Sequence, residues 1–549
     1  MASACAFAQT AYLPLGTDEY HLLDRLEALS GELNPELSST LKPVSRKAAM
    51  AFFSHHAKNH QFGQSTLSEI DGYNLSRALS ISGEWTETAD GDDGAIDSKK
   101  PILKYFYQKQ PDLLHFNTDN LFLVVNPVIY FQASYERNQK DLRYINLRGV
   151  EARGRIGKRI GFYTMLGDNQ EKLLSYTQAW QNAHQASPGN DYYVLRGGVN
   201  DIFVARGYFD FNAIQDHLNV TFGYDKNFIG DGMRSLFLSD AGAAATFLRF
   251  RSRLWRLRYQ NLFMELFNDY AKGYDRILPK KYATMHQLNM DITPWLHLGI
   301  FESTLFAQSD HFNVGYLIPV IFYRTVAQAV GGSNKTALGL NFKAIALKRL
   351  QIYGQGYFNG ANISTIGKGD WYNQYGIQLG LQYFNAFTIS NLDMRAEANI
   401  VRPFTYAAQD TVTNYTHYNQ ALAHPMESSF AEWIGVIRYQ PLKKLCIAAK
   451  GIFASRGTDS SASVNFGNNI HKSFDSRTEA AHYGVISGVR LNSIYMNLNV
   501  AYEIRPNIFL EAGATHLRGK YETGALLPSS TSLYGALRWN IARKEYDYF

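Results

Sequence analysis

The sequence predicts an all-β transmembrane antiparallel β-barrel of about eighteen strands, preceded by a small N-terminal helical module. Three observations carry this expectation. Apolar and polar residues alternate one for one through most of the chain, the period of a strand with two unlike faces. No run approaches the ~18–20 consecutive apolar residues of a membrane helix. Finally, 36 Tyr, 34 Phe and 7 Trp make 14% of the 549 residues aromatic, and membrane barrels place aromatic girdles at both interfaces.

The last alternating segment, Leu533 to Ile541, has apolar or small residues at Leu533, Gly535, Leu537, Trp539 and Ile541, with Arg538 and Asn540 on the other face. The terminal Phe549 resembles the aromatic signal by which outer-membrane barrels are recognised for assembly. The segment Ile494 to Ile504 alternates Ile494, Met496, Leu498 and Val500 with Tyr495, Asn497, Asn499 and Ala501. The first set is expected to face lipid and the asparagines the lumen. Near Leu392 the polar set contains Asp393, Arg395 and Glu397. Three ions on the dry face of a sandwich would cost several kcal/mol each if unpaired, so a hydrated lumen suits them better. Short turns such as Thr293-Pro-Trp295 and Arg505-Pro-Asn507 separate long polar connections such as Tyr406 to Ser429 and Ser455 to Thr478. That asymmetry between the two rims is characteristic of outer-membrane barrels. About 430 residues at ~20–25 per strand and loop allow 16–20 strands, and even counts prevail.

The amino-terminal region is different. Residues 9–110 read as a helical module and 111–549 as the barrel. Asp18 to Leu29 has Leu22, Leu23, Leu26 and Leu29 at helical spacing, with Thr17 as a candidate N-cap. Ser45 to His60 and Ser65 to Leu79 also read as helices. Residues 1–8 end in Ala6-Phe-Ala8, an A-x-A cleavage pattern, and are expected to be the remnant of a signal peptide. The two cysteines, Cys5 and Cys446, make no disulfide framework or CxxC pair. A net charge of +6 is too small on this chain to argue for a nucleic-acid partner. His56 and His60 have ligand-compatible spacing but no glutamate completes an H-E-x-x-H pattern, so no metal or other cofactor is expected. No nucleophile–base pairing suggests an enzyme.

Chemistry concentrates in two places. Asp225, Lys226, Asp231, Arg234, Ser235, Ser239 and Asp240 lie within one short segment, where they could bind sugar hydroxyls or hold a lumenal plug. The alternative is a folded loop in which Gly230 and Gly232 supply positive φ. The loop from Asn414 to His424 interleaves Tyr415 and Tyr418 with Asn, His and Gln. Such a surface can stack on sugar rings or pack against the barrel rim.

The first segment also carries a family likeness. Gly223 to Asp240, with the loop Ile229-Gly-Asp-Gly232 and the run Ser235-Leu-Phe-Leu-Ser239, continuing through Phe247, resembles the Wzi-type capsule assembly family. It departs from that pattern at Ile229, where an aromatic is expected, and at Ala243 to Ala245, where a proline is. Asn146 to Arg153 also looks familial. Asn414-Tyr-Thr-His-Tyr-Asn-Gln420 with Ala423-His-Pro425 is similar to a branch associated with gliding bacteria. The resemblance implies an outer-membrane barrel that holds capsular polysaccharide at the cell surface, partnered by outer-membrane lipid and the glycan. The alternatives are a barrel of the same fold serving motility or secretion through protein partners, and an outer-membrane enzyme or diffusion channel.

Overall fold

The computed structural model describes residues 11–64, 67–86, 94–99, 105–118, 120–157, 159–214, 217–268, 278–307, 334–479 and 482–548. The expected cleavage site and Phe549 lie outside them. Eighteen antiparallel strands form one closed barrel. Consecutive strands pair as hairpins, and the last, Ser530–Trp539, closes on the first, Leu121–Glu136, through pairs such as Leu533 opposite Tyr135. Closure leaves no unpaired edge, which a backbone in hydrocarbon requires. The dyad pattern resolves as expected. Ile494, Met496 and Leu498 are exposed on the outer wall, while Asn497 and Asn499 are buried inside. Leu533 is likewise 60% exposed, and on the inner face Asn499 donates to the Tyr534 hydroxyl at 3.0 Å over the intervening Gly513.

One rim carries tight turns, at residues 255–256, 294–295, 443–444 and 506–507. The other carries long connections, among them 226–244, 402–429 and 459–488. In outer-membrane barrels the long loops are extracellular and the short turns periplasmic.

The N-terminal segment packs into the short-turn end. Helices α1 (Asp18–Ser30), α2 (Arg46–Gln61) and α3 (Glu69–Ile81) share a core of Leu22, Leu26, Met50, Phe53 and Leu75. Ser45 caps α2 by accepting from the Ala48 amide at 3.3 Å. Ser68 and Asp71 form a reciprocal capping box on α3, so that helix begins later than its spacing suggests. Thr17 occupies the cap of α1 without a side-chain bond.

Ion pairs bind this module to the lumenal wall close to the short turns. Arg25 donates to Asp71 at 2.7 Å and to Asp393 at 2.6 Å. Lys343 meets Asp24 and Glu27, Arg438 meets Asp18, and Arg77 meets Glu503. Burial alone would raise the carboxyls of Asp18 and Asp24, but the facing cations Arg438 and Lys343 outweigh it and hold both well below the usual range.

The lumen is therefore not open water, and the wall charges expected to be hydrated are met by the chain itself. Asp393 is bonded by Arg25 and by His21 at 2.9 Å. Glu397 accepts from the amides of Met233 and Arg234 and from Tyr353. Arg395 donates to the carbonyl of Asp231. The last strand holds a second difference. It stops at Trp539, and residues Asn540 to Tyr548 turn back into the lumen rather than extending the strand toward an aromatic terminus.

Candidate functional site: the lumenal junction and the long-loop face

After the strand Leu218–Asp225 the chain leaves the wall and dives inward. Ile229 and Phe228 pair with Leu41 and Lys42 of the N-terminal segment. The Ile229 amide closes the turn on the carbonyl of Leu238 at 3.0 Å. Gly230 has φ +155, and a Cβ there would meet Gln355 at 2.8 Å. Gly232 is needed for space instead of positive φ, since a Cβ would lie 2.5 Å from the Arg234 carbonyl oxygen and 2.7 Å from Gln378.

The expected site residues separate into three groups. Asp231, Arg234, Ser235 and Tyr415 are buried in the junction. Asp231 accepts from Thr40 at 2.8 Å and Ser39 at 3.3 Å. Arg234 pairs with Glu432 at 3.2 Å and with Asp547 of the returning tail at 2.8 Å. Burial would lower the Arg234 guanidinium, but these two carboxylates raise it, and Arg234 with Lys450 in turn depresses Asp547 against its own burial. The Ser235 hydroxyl donates to the Ile229 carbonyl and accepts from the amides of Phe237 and Leu238. Tyr415 donates to the Phe237 carbonyl at 2.8 Å, which brings the two singled-out segments together. Phe237 stacks face to face on Phe301 of the wall, centroids 4.4 Å apart.

Asp225, Lys226 and Asp240 border a lumenal cavity of ≈ 350 Å³, with Tyr163, Arg206 and Tyr546 among its other walls. Lys226 donates to the Asp240 carbonyl at 2.9 Å, and burial pushes its amine down to about 7. The cavity runs between the N-terminal segment (Pro14, Gly16), the tail (Arg543 to Tyr548) and the wall.

Tyr418 forms the third group. It is half-buried on the long-loop face, in the left-handed region at φ +48, and stacks on Phe267 at 5.2 Å. Beside it, His417 accepts from the Phe267 amide through Nδ1 at 3.0 Å and lies 2.9 Å from the Ala244 carbonyl through Nε2. That geometry suits the neutral Nε2–H tautomer, and burial holds the imidazole at about 4.

The long loops are fastened to one another. The Phe404 amide donates to the Gly467 carbonyl at 2.8 Å, and the Phe474 amide to the Ala408 carbonyl at 3.2 Å. On this platform Arg477 lies over Trp371 at 4.3 Å, with Phe474 tilted against it and Tyr372 46% exposed beside it. Sequence reasoning missed this cluster, although Trp371-Tyr372 stands out as an aromatic pair between two strands. It also missed α4 (Ser175–His184), whose Trp180 packs edge-on against Tyr548, and the returning tail. The run Arg543-Lys-Glu-Tyr-Asp-Tyr548 was the available signal, being too charged for a lipid-facing strand.

No family model matches the sequence, and no curated protein matches it. Among solved structures the barrel is similar to Wzi of Escherichia coli, described as an outer-membrane protein involved in group 1 capsule assembly and a carbohydrate-binding β-barrel. The fold is Wzi-like. The match covers 98% of this chain and 100% of Wzi, with a TM-score of 0.54 at 10% identity. OccD1 (OprD) also matches, over 76% of this chain and 94% of its own, with a TM-score of 0.42 and 11% identity. OccAB2 of Acinetobacter baumannii matches over 76% and 98%, with a TM-score of 0.43 and 11% identity. The chain is a closed β-barrel with the fold of the outer-membrane protein Wzi.

Proposed function

We propose that this barrel binds surface polysaccharide on its long-loop face and holds it at the cell surface. The observation that carries the reading is the combination of a filled lumen with a fastened aromatic platform. The helical module, the 226–244 segment and the tail occupy the space a diffusion channel would keep open. Meanwhile the long loops present Trp371, Tyr372 and Tyr418 in fixed positions. Flat amphipathic rings beside amides and a guanidinium are suited to sugar faces and hydroxyls, and fixing them beforehand lowers the ordering cost of binding. The Wzi-like fold supports the same reading, since Wzi is itself described as carbohydrate-binding.

Within this reading the buried residues Asp231, Arg234, Ser235 and Tyr415 support the platform from below. Asp225, Lys226 and Asp240 line the cavity beneath it, and Tyr418 with Tyr372 contacts glycan. Binding of capsular polysaccharide from the source cells to the purified detergent-solubilised barrel tests this. Tyr372→Ala and Tyr418→Ala together should weaken binding and release glycan into the medium at unchanged surface abundance. Retention of all surface glycan by that folded variant overturns the assignment, and ohmic conductance of the wild type in planar bilayers would favour a channel.

A further inference from the structure

The outer wall is not uniformly neutral where it reaches the long-loop rim. Beside the seam at which the last strand meets the first, the strands Val489–Arg505, Ile508–Tyr521, Ser530–Trp539 and Leu121–Glu136 stand next to one another. Their outward positions are set by the dyad period. Ile494 and Met496 face out on the first of these strands and Leu510 on the second, while Leu517 on that second strand is buried inside. By the same parity Arg490, Arg518 and Lys520 point outward, as does Arg137 just beyond Tyr135. All four are exposed, and Lys140 is exposed in the adjoining hairpin. Arg518 lies opposite Ile494 and Lys520 opposite Asn492, so the cations begin where the apolar wall ends.

Among the described residues none of these five cations has a carboxylate within ion-pair distance. Two carboxylates stand in the turns beside the strip: Glu522, whose amide bonds the Arg490 carbonyl at 2.9 Å, and Asp141, which is taken up by Lys172 at 2.7 Å. Several other outward charges are paired. Arg148 pairs with Asp168 at 3.0 Å, Lys172 with Asp141 at 2.7 Å, and Lys280 with Glu265 at 3.2 Å. The unmatched strip spans three inter-strand spacings, roughly 14 Å. Below it stand Tyr135, Leu533, Ile494, Met496 and Leu498, exposed to the bilayer.

We propose that this strip binds the phosphate groups of an outer-leaflet lipid whose acyl chains lie along the apolar wall beneath. Guanidinium groups match phosphate oxygens two at a time, and cations at the headgroup level attract anionic lipid. A soluble acidic polysaccharide fits less well, because the strip projects sideways from the wall rather than upward from the loops. The continuous apolar surface directly below would also find no partner in a glycan.

The test uses the full chain in detergent and bisphosphorylated lipid A as the probe, with native mass spectrometry reading the bound fraction. Replacing Arg137, Arg490, Arg518 and Lys520 by Ala together should weaken lipid A binding at least tenfold, from about fivefold per cation near an anionic surface. Dephosphorylated lipid A should bind the wild type as weakly as lipid A binds the variant. Lys280→Ala should leave binding unchanged. If the fourfold variant fails to assemble, the pairs Arg137→Ala with Lys140→Ala and Arg518→Ala with Lys520→Ala carry the measurement. Binding within twofold of wild type in the folded variants overturns the proposal. So does indifference to the phosphates, or loss of polysaccharide binding with lipid A binding intact.

Discussion

Arg25 is the strongest single tie between the helical module and the barrel, and replacing it with methionine isolates that tie. Arg25 is 2% exposed and donates to Asp71, Asp393 and Asn385 at 2.6–3.1 Å. Methionine keeps much of the volume and removes the charge. Asp71 would retain Ser68 and Asn391, and Asp393 would retain His21 and the Asn385 amide, but both would lose their buried cation. Breaking a buried pair on one side costs about 3–5 kcal/mol. At 1.4 kcal/mol per tenfold, the undocked population should rise about a hundredfold to several thousandfold. Trypsin cleavage within the module reads that population directly when opening is faster than cutting. The comparison is Lys443→Met, which removes a second link to the module, with Glu69 at 3.6 Å, in a pair more than half exposed on both sides. Exposed pairs are worth at most about 1 kcal/mol, so that variant should be cut close to the wild-type rate. Equal cleavage of Arg25→Met and wild type, at equal yields of folded barrel, would refute this account of how the module is held.

Other expectations follow from the same geometry. Leu498→Arg should lower the yield of heat-modifiable folded barrel, because a cation on the mid-bilayer wall costs about 2–4 kcal/mol. Asn497→Asp should assemble normally, since Arg543 already donates to that side chain at 2.9 Å; equal yields would contradict the facing. Deleting residues 543–549 removes one of the two carboxylates on Arg234, both of those on Lys450 and one side of the lumenal cavity. It should raise conductance in planar bilayers and speed exchange of amides in residues 226–244, and an unaltered barrel would show that the tail seals nothing. The carboxyls of Asp18, Asp24 and Asp71, burial notwithstanding, are held low by Arg438, Lys343 and Arg25. Their stabilisation is fully present above the ordinary carboxylate value of about 4 and is lost as pH falls through the lowered native values. Protease resistance of the module should therefore persist at pH 5 and fail only in strong acid, and loss already at pH 5 would count against these pairs.

The barrel was legible because its signal is local. Ile494 to Ile504 declares both faces within one strand, and the turn Arg505-Pro-Asn507 marks the strand's end without reference to anything distant. The helices of the module were legible for the same reason, through leucine spacing and serine caps. What fills the lumen was not. Asp393, Arg395 and Glu397 mark a polar interior, but the same triplet suits water or a plug. The choice is made by Arg25 and by the amides of Met233 and Arg234, far away in the chain. The segment 225–240 was conspicuous for its charges, yet their density reflects a junction where three chain segments satisfy one another. A sugar site and a buried network draw on the same residue types, and only burial separates them.

The segment before the first strand and the segment after the last approach each other inside the lumen, where a Cβ on Gly16 would lie 3.3 Å from that of Ala542. This places a constraint on biogenesis. Residues 11–64 precede every stave and reach the lumen through its short-turn end. The tail follows the last stave, which zips onto the first to shut the seam, and Asn540 to Tyr548 must enter from the short-turn side as the wall becomes continuous. Arg234 finds Asp547 only after that entry. The contact between them is thus a record that closure has finished, made from inside the finished cylinder.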